Sequence, residues 1–335
     1  MSDTKDVLLF GALALIWGTA YTAIEIGLET LPPLLFAAAR LDIAAAVFVG
    51  IVLLRRLEWR PRTKADLALV LSNGLLVIGA HFAFSFVGQS YVSSSVAAIV
   101  LSFTPIITPL IAIHLLPTER IVITDVVGLG AGLAGVIAIA VAGGTFDGQL
   151  LGIGLLLASA VVFALGSVLT ERWTPVLPTM SLHAWSMGIG AVFLHATAYA
   201  YSGASIRSVT WTPSAVAALA YLGIVATAGG FLLYFALLSR TGATNVSLIN
   251  YASPVVATIF GATLLGEQIT AATVAGFALI VVGFALCNIR PLWRLTQSTR
   301  NANGGSRPLE HGEIRVRGNV YTATNDSQTH LQPSD

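Results

Sequence analysis

The chain has 335 residues, 56% of them apolar and only 10% charged, with 17 Lys and Arg against 16 Asp and Glu for a net charge of +1. That composition leaves too little polar surface for a soluble protein of this size, so soluble classes are excluded. The near-neutral balance names no partner; the placement of the charges is what informs.

Ten apolar segments follow one another, over residues 7–25, 33–54, 66–87, 93–115, 122–141, 149–170, 181–201, 213–238, 244–265 and 271–289. A bilayer core about 30 Å thick takes about 20 residues of helix, and it offers no water to unpaired backbone groups. An all-α membrane protein with ten transmembrane helices is therefore expected. The first segment follows Met-Ser-Asp-Thr-Lys-Asp with no cleavage pattern behind it and reads as a retained helix.

Within segment one, Trp17, Tyr21 and Glu25 recur every four residues and share a helical face. They read either as a wall of a substrate path, with Glu25 meeting an ammonium or a proton, or as an interfacial aromatic belt. Arg40 lies about eight residues inside segment two, too deep for snorkelling alone, and needs an anion. Its readings are a structural ion pair with Glu25 on the neighbouring helix, or direct binding of a substrate carboxylate. Asp42, two residues on, points to another side of the helix. In segment three His81 shares a face with Ser85, and it reads as a proton-coupling group or as a neutral imidazole bonded to a neighbouring helix. His114, His183 and His195 are scattered without metal-ligand spacing, and no metal site is expected.

Segment four carries Pro105 and Pro109, and segment nine carries Pro254 just after Asn250 and Tyr251. A proline removes a donor and frees a carbonyl one turn earlier, so Pro105 and Pro254 read as hinges around a central site, or as kinks that serve shape alone. Tyr234, Asn250 and Tyr251 add polar tips to that site. In segment five Gly130-Ala131-Gly132-Leu133-Ala134-Gly135 fits a dinucleotide fingerprint formally, but no strand precedes it, and with Gly128 it reads as close helix packing. The lone Cys287 reads as a packing residue and allows no intrachain disulfide. From residue 290 the composition turns polar, and a disordered cytoplasmic tail over 290–335 is expected.

Lys and Arg accumulate on cytoplasmic loops. Counting from a cytoplasmic N-terminus, the even-numbered loops and the tail hold Arg55, Arg56, Arg60, Arg62, Lys64, Arg120, Arg172, Arg240 and the cations from Arg290 onward, whereas the opposite loops hold only Arg207. Both termini are thus expected in the cytoplasm.

The chain also repeats itself. Ser102-Phe103-Thr104-Pro105 aligns with Tyr251-Ala252-Ser253-Pro254 at an offset of 149, and after one dropped residue the offset is 148, which matches Gly128 with Gly276, Gly135 with Gly283 and Gly18-Thr19 with Gly166-Ser167. Five segments per half is an odd number, so the second half (149–289) enters the membrane opposite to the first (7–141). Inverted repeats are a recurring plan of secondary transporters, with substrate held near the midplane between halves.

These residues carry a resemblance: Trp17-Gly18, Arg40, Pro105 followed by Glu119-Arg120, and Pro254 followed by Leu265-Gly266-Glu267 resemble the EamA family of the drug/metabolite transporter superfamily. The resemblance covers 7–289 and omits the tail. It implies a ten-helix carrier in a bacterial inner membrane, often an exporter of amino acids or related metabolites, with a cavity between spans one, three, four, six, eight and nine. Arg40 aligns with Gly188 in the second half, so the halves differ in function. An exporter of hydrophobic cations is the alternative within transport, and a membrane-bound enzyme or scaffold the alternative outside it. The absence of a phosphate-binding glycine loop, a His-Glu-x-x-His helix and a cysteine cluster argues against ATP-driven pumping and hydrolase chemistry. Expected partners are the bilayer, a small-molecule substrate and protons, with no nucleic acid and no cofactor, in a monomer or homodimer.

Overall fold

The structure, a computed structural model, describes residues 4–115, 123–142, 146–202, 209–242 and 246–287, with 313–316, 319–322 and 332–333 of the tail. Glu119, Arg120, Arg207, Asn245 and most of the tail lie outside the described residues. The chain divides into two units, 1–288 and 289–335.

The regular elements of the first unit are all helices among the described residues. Crossings one and two are α1 (Thr4–Leu28) and α2 (Pro33–Leu54). Pro33 starts α2 because its missing N–H falls where a helix has no use for one. Crossing three is α3 (Lys64–Ser72), a π-helical stretch (Asn73–Ala80) and α4 (His81–Gln89). It is opened by a capping box in which the Thr63 hydroxyl accepts from the Asp66 N–H and the Asp66 carboxylate accepts from the Thr63 N–H. Crossing four is α5 (Ser94–Leu101) and α6 (Thr104–Leu115), and crossing five is α7 (Ile123–Ala142). The second half runs α8 (Phe146–Thr170), α9 (Thr179–Ser202), then α10 (Pro213–Ala220) with a π-helical stretch (Tyr221–Gly229) and α11 (Gly230–Thr241), then α12 (Ile249–Leu264) and α13 (Ala271–Cys287). Among the described residues six of the crossings are each long and apolar enough to span a membrane by themselves, crossings five, nine and ten hold shorter apolar helices, and crossing seven is the 24-residue α9.

The helix contacts follow a two-fold plan. Crossing one packs on nine, as six packs on four; crossing two packs on eight, as seven packs on three; and two meets seven while five meets ten. The two π-helical stretches begin at Asn73 and Tyr221, the same 148 residues apart as the sequence repeat. They therefore occupy equivalent places in crossings three and eight, and π turns inside α-helices occur mostly at functional positions. Where α7 meets α13, a methyl group at Gly135 would overlap the Gly276 carbonyl, and one at Gly276 would overlap the Gly135 carbonyl. Such contact of backbones is how membrane helices gain van der Waals energy without a hydrophobic drive.

The two prolines expected to hinge behave differently. Crossing four breaks at Ser102-Phe103, just before Pro105, and the Ser102 and Thr104 hydroxyls donate to the Ile99 and Leu101 carbonyls at 2.6 and 2.7 Å. Pro254 instead sits inside a continuous α12. In the second unit, β1 (Glu313–Val316), β2 (Asn319–Thr322) and β3 (Gln332–Pro333) pair antiparallel in that order.

Candidate functional site

Trp17 is not turned to lipid. Its indole donates to the Ala226 carbonyl at 3.1 Å within the second π-helical stretch, and the ring stacks on Tyr234 at 5.6 Å and meets Phe231 edge-on at 6.0 Å. Gly230 makes room for it, since a methyl group there would overlap the indole nitrogen. Next to Gly18 in α1, the Thr19 hydroxyl bonds the Tyr221 hydroxyl at 2.6 Å, and Tyr221 also donates to the Ile16 carbonyl. α1 is thus fastened to the widened turn of crossing eight by two aromatic groups.

Arg40 is buried, 6% exposed. Its Nε donates to the Thr227 hydroxyl at 2.7 Å, and Thr227 in turn donates to the Leu222 carbonyl five residues back, inside the same π-helical stretch. The guanidinium lies 4.6 Å from the Phe82 ring centroid and 5.8 Å from that of Phe86. No described carboxylate reaches it within ion-pair distance, and its two terminal nitrogens make no hydrogen bond to the described residues, though they are not among the sealed polar atoms. The Tyr21 and Tyr221 hydroxyls stand within its electrostatic reach.

The expected Arg40–Glu25 ion pair is therefore absent. Glu25 instead accepts from the Gln89 amide at 3.4 Å, while the same amide donates to the Tyr21 carbonyl at 2.7 Å. The reason lies in the packing: crossing eight is shared by both helices, with α2 also seated against α9 and α1 against α12, so two crossings adjacent in sequence barely meet in space. Glu25 shares its end of the bundle with Glu29 and Glu267, both within electrostatic reach.

His81 and Ser159 exchange bonds: the Ser159 hydroxyl donates to the His81 carbonyl at 2.8 Å and sits 2.7 Å from Nδ1. With that hydroxyl hydrogen committed, Nδ1 is assigned as the donor, and Nε2 is the nitrogen left over. Phe82 and Phe163 flank the ring at 5.1 and 5.0 Å. Asn250 is turned to its own backbone, donating to the Ser247 carbonyl. Tyr251 packs at 4.2 Å on Phe284, and its hydroxyl is buried without a hydrogen-bond partner among the described residues. Trp17 and Tyr234 thus come together, Arg40 joins them through the π-helical stretch, and Glu25 lies toward one end, while Asn250 turns to Ser247 and Tyr251 packs, with Tyr21, against the apolar cluster that includes Phe284.

Sequence reasoning missed Thr227, Gln89 and the bonding of Glu267. Gly266, at φ +67°, takes the left-handed conformation that ends α12 and turns Glu267 toward α5. One carboxylate oxygen accepts from the Ser94 N–H (2.8 Å) and hydroxyl (2.6 Å); the other accepts from the Ser95 N–H (3.1 Å) and the Ser95 hydroxyl. A carboxylate at this helix N-terminus meets orphan donors and the positive end of the dipole. The Leu-Gly-Glu motif was legible as a motif; its target was not.

This geometry, with ten crossings in two inverted five-helix halves and a polar centre between them, is that of a membrane transporter. The model of the EamA-like transporter family matches residues 4–141 and 150–289, and the chain belongs to that family. An "Uncharacterized transporter" of Archaeoglobus fulgidus is 30% identical over 83% of this chain and 97% of its own length. A "Probable amino-acid metabolite efflux pump" of Salmonella typhimurium is 28% identical over 83% and 93%, and the "Uncharacterized inner membrane transporter YedA" of Escherichia coli is 29% identical over 83% and 89%. A crystal structure of a protein 23% identical, matching 88% of this chain and 100% of its own with a TM-score of 0.60, has the same fold.

Proposed function

We propose that this multi-pass membrane transporter is a secondary carrier for amino acids or related small zwitterionic metabolites. It exports them across a bacterial inner membrane by alternating access, with both termini in the cytoplasm. The observation that carries the reading is Arg40, a guanidinium buried among Phe82, Phe86 and Thr227 with no described carboxylate beside it. A buried charge left without a counter-ion costs several kcal/mol, and in transporters such residues mark substrate pathways. A substrate carboxylate supplies the missing anion. Trp17 and Tyr21 line the approach, and Glu25, held among the described residues by Gln89, receives the ammonium group.

His81, fixed by Ser159, is the group we assign to proton coupling. The alternative cargo, a hydrophobic cation, would find aromatic surfaces at Trp17, Phe231 and Tyr234, but the uncompensated Arg40 charge opposes a cation at the centre. Supporting the amino-acid reading from outside the chain are the efflux-pump names of relatives at 28% and 27% identity. Uptake into proteoliposomes, screened over amino acids and lipophilic cations with and without a pH gradient, tests it. Saturable amino-acid flux is expected, and flux of cations alone would replace this reading with the alternative.

A further inference from the structure

Asp42 and His195 form a polar pair where none is wanted. The Asp42 carboxylate meets His195 Nε2 at 2.8 Å, yet their side chains remain 47% and 33% exposed. Asp42 stands roughly 13 Å along α2 from Pro33, and His195 roughly 10 Å along α9 from Ser202, at 1.5 Å per residue. Both therefore lie deep in the hydrocarbon layer. The surface around them is not that of an aqueous cavity: Val49, Leu53 and Val192 stand 44%, 68% and 70% exposed on the same two helices. An aspartate is too short to reach a headgroup from that depth, since snorkelling belongs to the long stems of Lys and Arg. Against lipid tails the pair is costly.

We propose that this face of α2 and α9 is the contact surface of a homodimer with its two-fold axis along the membrane normal. The pair is self-complementary under that axis. Because Asp42 and His195 share one depth, rotation brings each carboxylate opposite the other copy's imidazole. Each chain then offers what the other lacks: His195 Nδ1 and Asp42 Oδ1 have no hydrogen-bond partner among the described residues. Nε2 stays on its own Asp42 while Nδ1 meets the second copy's carboxylate, which closes a ring of four polar contacts away from lipid. The flanking surface admits close approach, since a methyl group at Gly50 or Gly188 would meet nothing within 4 Å, and Ala46 continues the exposed stripe one turn from Asp42.

The test is oligomeric state in a bilayer, by single-molecule photobleaching of the labelled full chain in vesicles of phosphatidylethanolamine and phosphatidylglycerol. Two-step bleaching is expected for the wild type and single-step bleaching for Asp42→Leu/His195→Leu, a double change that suits lipid. A second readout covers the case in which that variant folds poorly. In a Cys287→Ala background, Ala46→Cys should give oxidant-induced dimers within the membrane, while Val161→Cys, on the exposed face of α8, should not. A monomeric wild type overturns the proposal, whether phospholipid or another protein then covers the pair, and so does a double variant that stays dimeric or equal cross-linking at both positions.

Discussion

Replacing Arg40 by leucine separates a substrate anchor from a cation that serves packing alone. The change removes one charge-assisted hydrogen bond to Thr227 and the contact with Phe82. Against these losses of about 1.5–3 kcal/mol and about 0.5–2 kcal/mol stands the relief of a desolvation cost of several kcal/mol. Folded yield and melting temperature should therefore stay close to wild type. Affinity should not: losing a charge-assisted contact of about 1.5–3 kcal/mol weakens a carboxylate-bearing substrate by roughly 10- to 150-fold. Isothermal titration of an amino acid and its decarboxylated amine against both proteins decides the matter. Wild type should prefer the amino acid, Arg40→Leu should bind the two alike, and Thr227→Val should fall between because it leaves the guanidinium present but unguided. Equal binding of both ligands by the wild type would refute the anchor, as would an Arg40→Leu variant that keeps the preference.

Glu267→Ala strips the cap from α5 and should lower stability by about 2 kcal/mol, read as melting temperature in detergent, with Glu267→Gln losing less because an acceptor oxygen remains. Gly135→Leu drives a side chain into the Gly276 carbonyl, which requires α7 and α13 to separate; a cost of about 1–3 kcal/mol and reduced yield are expected, whereas Gly130→Leu, which faces open space, should be neutral. For orientation, again in Cys287→Ala, cysteines at Glu29 and Ser90 should react with an impermeant reagent from outside and cysteines at Arg56 and Lys64 should not. Inverse labelling would reverse the assigned topology.

The ten crossings were legible because hydrocarbon thickness dictates helix length, and Pro33 and Pro213 mark helix starts in plain sight. The repeat was legible from Pro, Glu and Gly at common offsets, and Gly128, Gly132 and Gly135 of α7 showed their packing role, whereas Gly130 faces open space. The site was legible only in part. Trp17, Tyr234 and Arg40 stand out as aromatic or charged residues in apolar helices, but the partner of Arg40 is a lone threonine that nothing in its neighbourhood announces. The π-helical turns that present Thr227 and Ala226 were not read from any residue type in the sequence. The Glu25–Arg40 pairing failed because nearness in sequence was taken for nearness in space, whereas the inverted repeat interleaves crossings of opposite halves. The link between Asp42 and His195 joins two crossings from different halves and carries no local signature.

The central claim, alternating access to a site for a zwitterion, is tested most directly by counterflow. Proteoliposomes loaded with an unlabelled amino acid that binds the purified protein are diluted into a trace of the same compound in labelled form. A carrier exchanges one for the other, so the label should rise transiently inside above its external concentration, and Arg40→Leu should abolish the overshoot. Label that only equilibrates, at a rate rising linearly with concentration, would contradict the account and mark the protein as a channel.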